Sequence, residues 1–195
     1  PMNGVIGMID LLLDHSRDFK ERENLEIVKA SAESLLGIIN NILDFSRVEA
    51  GKVVLHRKAF GLRRTLEQLT ALFRLRMKEK ALWFISTVDQ DVPDWLTGDP
   101  DKLRQVLINL LSNAIKFTDK GGRIDLRVSC KCRAGDSVLL IFLVQDSGVG
   151  IPQDRRADLF EAFKHLDSSD TRSYSGTGLG LAISFGLVKM MGGDF

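Results

Sequence analysis

Cysteine is nearly absent: Cys130 and Cys132 are the only two in 195 residues. That is too few for a disulfide scaffold, and with no second pair it is incomplete as a zinc site. Two residues apart on a strand, they would share one face as filler, and a reducing, cytoplasmic setting fits. Long apolar runs are missing as well. No stretch reaches about 18 unbroken apolar residues, so no spanning helix and no membrane contact is expected of this piece. Nor is there an excess of either charge. Lys+Arg number 27 against 26 Asp+Glu, and 44% of residues are hydrophobic. A disordered chain or a nucleic-acid coat would be more polar and more one-sided, so nucleic acid is not an expected partner. The chain opens on Pro1 with no signal or transit segment, and Phe195 comes directly after Gly192-Gly193-Asp194, where a strand ought to continue. Both ends are expected to be cuts in a longer protein.

What is present divides by texture. Residues 1–51 are helical in period, with Val5, Ile6, Met8, Ile9 and Leu11 to Leu13 on the first helix. A charged stretch, His15 to Asn24, reads as the connection. On a second helix, expected over about Glu21 to Ala50, Leu25, Val28, Ala32, Leu35, Ile39 and Ile42 step by three and four, the spacing of a bundle seam. Two helices cannot hide so wide a stripe. Pairing with a second hairpin is the economical cover; packing on the rest of the chain is the other. Gly51 stops the helix, and residues 52–58 read as a linker. The remainder, 59–195, is mixed. A helix is expected over Phe60 to Lys80, a strand over Leu82 to Val88, and a helix capped by Asp99-Pro100 and running to Phe117. Strands Ile124 to Cys132 and Val138 to Gln145 join at Ala134-Gly135-Asp136, a polar stretch leads on to Ser175, and a last helix spans Gly178 to Met191. The expected fold class is α+β.

Three segments carry chemistry. Asn109, Asn113 and Lys116 lie on one helical face; an amide oxygen suits Mg²⁺ and the ammonium suits phosphates. Asp146-Ser-Gly148-Val-Gly150 ends an apolar strand, where glycines let the backbone bend closely around a planar ligand and the Asp can accept from an exocyclic amine. Ser175-Gly176-Thr177-Gly178-Leu179-Gly180 opens a helix whose free N–H groups favour an anion. A dinucleotide-binding reading fails on the Gly-x-Gly-x-Gly spacing, and a P-loop reading fails for want of Gly-Lys-Ser/Thr. Singly, the first is also compatible with a solvated helix face and the second with an ordinary hairpin turn.

In this order and spacing the segments resemble the ATP-binding domain of sensor histidine kinases, within the wider GHKL family shared with gyrase, Hsp90 chaperones and MutL. The N box around Asn109 and Asn113, the Asp146 loop, the Phe160/Phe163 segment and the Gly176–Gly180 loop carry the resemblance. Pro1-Met2-Asn3-Gly4 resembles the end of the phosphoacceptor motif His-Glu-x-Arg-Thr-Pro and the residues just after it, and Ile39 to Lys52 resembles the end of the second dimerisation helix. The implied architecture is a helical hairpin forming a dimeric four-helix bundle, followed by a Bergerat-type α/β sandwich lacking its last strands. The implied ligands are ATP and Mg²⁺. Asn113 would take the metal and Lys116 the phosphates, with Asn109 beside them. Asp146 would hold adenine in a loop shaped by Gly148 and Gly150. Gly176, Gly178 and Gly180, with Thr177 and Leu179 between them, would receive the phosphates. Residues 153–175 would form a lid that nucleotide orders, anchored by Phe160 and Phe163, with Arg172 as a phosphate contact.

The resemblance further implies a protein-histidine kinase of a two-component phosphorelay. It would work as a homodimer through residues 1–50, or as a heterodimer with a related kinase, and pass phosphate to a receiver-domain Asp of a response regulator. It would form the cytoplasmic part of a membrane-bound sensor. His15, His56 and His165 lack the acceptor context and read as surface or structural. The acceptor His is expected upstream of Pro1, so this piece should bind ATP without phosphorylating itself. Asn109 stands where gyrase-type hydrolases carry a Glu base, and a neutral amide cannot take a proton from water, which disfavours an ATPase. The competing reading is a kinase-like module that pairs with another sensor kinase and restrains it.

Overall fold

A computed structural model describes residues 2–16, 18–160 and 178–195, less the side chains of Arg156 and Ala157. The chain forms two units, Pro1–Lys52 and Val53–Phe195. In the first, α1 (Met2–His15) and α2 (Phe19–Glu49) make a helical hairpin. Asp18 decides where α2 begins: its side chain accepts from the N–H groups of Lys20 (2.7 Å) and Glu21 (3.1 Å), donors a helix start leaves unpaired. Arg22 reaches back to the Leu13 carbonyl at 2.8 Å and satisfies the end of α1. The connection is therefore Ser16 to Asp18, shorter than the expected His15 to Asn24. Residues 20–23 are charged because they form a solvated helical turn, and charge alone does not break a helix. Gly51, at φ +62°, ends α2, with its own N–H on the Val48 carbonyl and that of Lys52 on Arg47. Among the described residues of one hairpin only Ile9 and Ala32 are buried, while Val28, Leu35, Ile39 and Ile42 of the seam remain exposed.

The second unit runs β1 (Lys58–Gly61), α3 (Leu62–Glu79), β2 (Trp83–Val88), β3 (Trp95–Gly98), α4 (Pro100–Phe117), β4 (Arg123–Ala134), β5 (Ser137–Asp146), a 3₁₀ helix (Gln153–Phe160) and α5 (Gly180–Met190). Strand β2 pairs parallel with β4, and β4 antiparallel with β5, in the order β2-β4-β5. A separate ladder joins β1 to β3, with Phe60 opposite Leu96. That ladder corrects the expectation of a helix from Phe60: four-residue strands carry too little alternation to show in the sequence. A second correction concerns the cysteines. A register shift places Cys130 opposite Leu140 and Cys132 opposite Leu139, so Lys131 is an extra residue. The pair does not repeat one strand environment; Cys130 is half-buried and Cys132 exposed.

The core lies between helices and sheet. Ile124, Leu126 and Val128 on β4 are fully buried against Leu62, Leu66, Leu69, Phe73 and Met77 of α3 and Leu107, Leu111, Ala114 and Ile115 of α4. Each of these side chains larger than alanine contributes about 2 kcal/mol of burial. Their spacing of three and four leaves the opposite side of α4 to polar residues.

Candidate functional site

Helix α4 organises the site. At its start, buried Asp99 accepts from the N–H groups of Asp101 (3.1 Å) and Lys102 (3.0 Å) through Oδ1, and from that of His56 (2.8 Å) through Oδ2. Pro100 supplies the first helical residue, where no N–H is needed. Burial works to raise the Asp99 carboxyl, but the N–H groups of Lys102, His56 and Asp101 and the charge of Lys102 outweigh it and hold the group below its ordinary 3.8.

Along α4 the expected residues come at helical spacing, all half-buried: Asn109, Asn113 and Lys116. Asn109 donates from Nδ2 to Ser184 Oγ on α5 at 2.9 Å. Its Oδ1 lies so close to α5 that a Cβ on Gly180 would stand 2.2 Å away. Gly180 is thus required by a close approach of two helices, and Ser184, one turn later, closes the same contact. Among the described residues none hydrogen-bonds the Asn113 side chain. The Lys116 ammonium sits 4.7 Å from the centre of the Phe117 ring.

The other end of α4 meets the Asp146 turn. Asp146 is exposed at the end of β5, and its Oδ1 accepts from Gly148 N–H at 2.8 Å. Gly148 has no room for a side chain: a Cβ would fall 2.3 Å from the Phe117 carbonyl oxygen. Gly122 is similarly tight against Thr118, whose Cγ2 would be 2.4 Å from its Cβ. Ser147 ties the turn to β4, exchanging bonds of 2.8 and 2.9 Å with the Arg123 backbone. Gly150 is needed for conformation rather than space, at φ +71° with nothing near it.

The first chemical segment lies on α4 and the other two touch it. Of the third, Gly178 takes φ +66°, Leu179 is fully buried as an anchor, and Gly180 begins α5 two residues later than expected. Phe160 packs tilted on Phe185 of α5, 4.9 Å between ring centres, and edge-on against Phe195 at 5.2 Å. Phe163, His165, Arg172, Gly176 and Thr177 lie outside the described residues. Ser184 escapes a reading of the sequence; its one signal is a lone hydroxyl in an apolar helix one turn after a required glycine. Among the described residues no three carboxylate, thiolate or imidazole groups gather as a metal cage. A divalent ion here would rely on an amide, water and the ligand's own oxygens, the donor set that suits Mg²⁺. No helix among the described residues is long and apolar enough to cross a membrane.

Two family models match. Residues 98–195 match the histidine kinase-, DNA gyrase B- and HSP90-like ATPase, and residues 1–51 match the His Kinase A (phospho-acceptor) domain. The signal transduction histidine-protein kinase BarA of Escherichia coli K12 is 42% identical over 194 residues, covering 100% of this chain and 21% of that protein. The chain thus spans about a fifth of that relative's length. Full-length ShkA in complex with AMPPNP superposes with TM-score 0.81 at 33% identity, over 98% of this chain and 38% of that one. Histidine kinase ThkA in complex with response regulator TrrA shares the fold at TM-score 0.64 and 22% identity, over 98% and 52%.

Proposed function

The chain belongs to the sensor histidine kinases, carrying phosphoacceptor-type and ATPase-type segments of a two-component core, and from that premise we propose that it binds Mg-ATP for transfer of the γ-phosphoryl to a histidine and relay to a receiver Asp. The observation that supports this best is that two glycines without room for a Cβ, Gly148 and Gly180, press the adenine turn and the phosphate loop against one helix, at its C-terminal end and its middle. Residues 1–51 are the dimerisation hairpin, 52–58 the linker and 59–195 the ATP-binding domain. The acceptor histidine lies ahead of Pro1 in the longer protein, on its cytoplasmic side. The exposed seam Val28, Leu35, Ile39 and Ile42 covers itself with the hairpin of a second subunit. The ThkA–TrrA complex supports a response regulator as the onward partner.

Within the site, Asp146 closes its own turn with Oδ1 and offers Oδ2 to the adenine amine. Gly176, Gly178 and Gly180, with Thr177 and Leu179, present backbone N–H groups to phosphate, and Lys116 and Arg172 add positive charge. Asn113 supplies the metal ligand. Mg²⁺, when bound, screens charge on the phosphate oxygens. Asn109, already bonded to Ser184, braces α4 against α5, and its neutral amide leaves water unactivated, so ATP is kept for the histidine. The test has two arms. Calorimetry should show Mg²⁺-dependent ADP binding, weakened by Asp146→Asn, whose amide keeps an acceptor for Gly148 but turns NH₂ toward adenine. The longer protein, extended through the acceptor motif, should gain acid-labile phosphate from ATP. No ADP binding at millimolar concentration refutes the site; binding without phosphorylation favours the restraining-module reading.

A further inference from the structure

Resting on the nucleotide site proposed above, we propose that Lys80 is a positioning residue for its adenine end: it clamps the peptides around Phe117 so that the Gly148 turn can close against the Phe117 carbonyl. The last carbonyls of α4 need partners outside the helix. Ala114 O accepts from the Thr118 N–H (3.0 Å) and hydroxyl (2.6 Å). Lys80 Nζ donates to the carbonyls of Ile115 (2.7 Å), Lys116 (3.1 Å) and Thr118 (3.1 Å). An ammonium has three donors, and these bonds use all of them. A cation at a helix C-terminus is also favoured by the aligned peptide dipoles. The carbonyl they bracket is that of Phe117, the one against which Gly148 has no room for a Cβ.

Lys80 is itself held. It caps α3, after which Ala81 takes φ +50° and the N–H groups of Ala81 and Leu82 return to Lys78 and Met77 at 3.0 and 2.8 Å. Its carbonyl accepts from Gly121 N–H at 3.0 Å. The side chain also lines a cleft of about 330 Å³ between α3 and α4, shared with Arg76, Glu79, Ser112, Ile115 and Lys116. The residue is half-buried, and its charge is turned onto backbone. A clamp that fixes the peptides on both sides of the Phe117–Thr118 peptide fixes the surface on which Asp146 is presented. Loss of the clamp should therefore cost adenine recognition as well as stability.

The experiment is a double-mutant cycle on Mg-ADP affinity, measured by calorimetry below every variant's melting temperature. Lys80→Met keeps the stem and removes the donors. It should weaken ADP by about tenfold, and by no more than about twofold in an Asp146→Asn background, because the two residues serve one contact. A clamp that acts only on stability would lower the melting temperature and leave affinity unchanged, which overturns the inference; so do equal losses in both backgrounds. Failure of the unaltered chain to bind ADP overturns the nucleotide site itself. Lys80→Arg keeps the charge in a planar fork that cannot match three carbonyls. It should give a smaller loss with the same dependence on Asp146, and it carries the test if the Met variant does not fold. Arg binding as tightly as Lys, with no coupling to Asp146, refutes the clamp.

Discussion

Replacing Asp99 separates the two tasks of one carboxylate. In Asp99→Ala, α4 loses its N-cap, worth about 1 kcal/mol. The partly buried His56 N–H also loses its partner, an unsatisfied donor that costs about 1–3 kcal/mol. The sum is about 2–4 kcal/mol, or about 5–10 °C in the melting temperature of a unit of this size. Asp99→Asn keeps an oxygen for the Asp101 and Lys102 N–H groups and presents NH₂ toward His56. It should recover the cap and leave the His56 cost. The pH dependence has a fixed sign. The folded carboxyl is held below 3.8, so its contribution is fully present above that value and is lost as pH falls through the lowered folded one. The gap between the unaltered chain and Asp99→Ala should stay constant from pH 8 to 5 and narrow in acid. Calorimetric scans from pH 8 down into that acid region check it. An Asn variant as stable as Asp at pH 7 would refute the role of the His56 bond. A gap that stays open well below the folded value would refute the charge argument.

The same geometry sets three further outcomes. Gly180→Ala puts a Cβ 2.2 Å from Asn109 Oδ1; either Asn109 leaves Ser184 or α5 shifts, and ADP affinity should fall about tenfold or more, with an unchanged calorimetric constant counting against the close approach. Leu35→Asp places a charge in the exposed seam of α2; if two hairpins cover that seam, the cost to the dimer is several kcal/mol and sedimentation should move to monomer, whereas an intact dimer would show that another surface pairs. Ala81→Gly relieves a left-handed alanine and should stabilise the second unit by about 0.5–1 kcal/mol in urea unfolding; a loss of stability would mean the alanine methyl packs favourably.

What is legible in the sequence is what local chemistry dictates. Asp99-Pro100 announces a helix start by itself, because cap and first residue act within one turn. Gly51 announces a stop, and the β4–β5 turn is written in Ala134-Gly135-Asp136. The chemical segments are legible as well, but for a different reason: glycines at 148 and 180 stand out only when the Asp and Asn around them are read together. Their cause, a missing Cβ against Phe117 and Asn109, is tertiary and does not show in the letters. The failures are of the same kind. Strands β1 and β3 pair across more than thirty residues, and neither holds enough alternation to be seen alone. The bulge at Lys131 separates two cysteines that strict alternation would put on one face.

Lys80 is the sharpest case, because everything local argues against it. A lysine at the end of a charged helix reads as solvated surface, and Met77-Lys-Glu-Lys80 offers no pattern that singles it out. Its partners are the carbonyls of residues 115, 116 and 118, backbone atoms whose need is the same whatever side chains they carry. Side-chain chemistry aimed at backbone is invisible to motif reading for that reason. It can be anticipated only by asking where each helix end finds its partners. For α4 that question has a definite form: the helix ends beside the Asp146 turn, its Ala114 carbonyl is met by Thr118, and those of Ile115 and Lys116 are met by Lys80 from a neighbouring element. The glycines and amides of the site are held in register by a residue that belongs to none of its motifs.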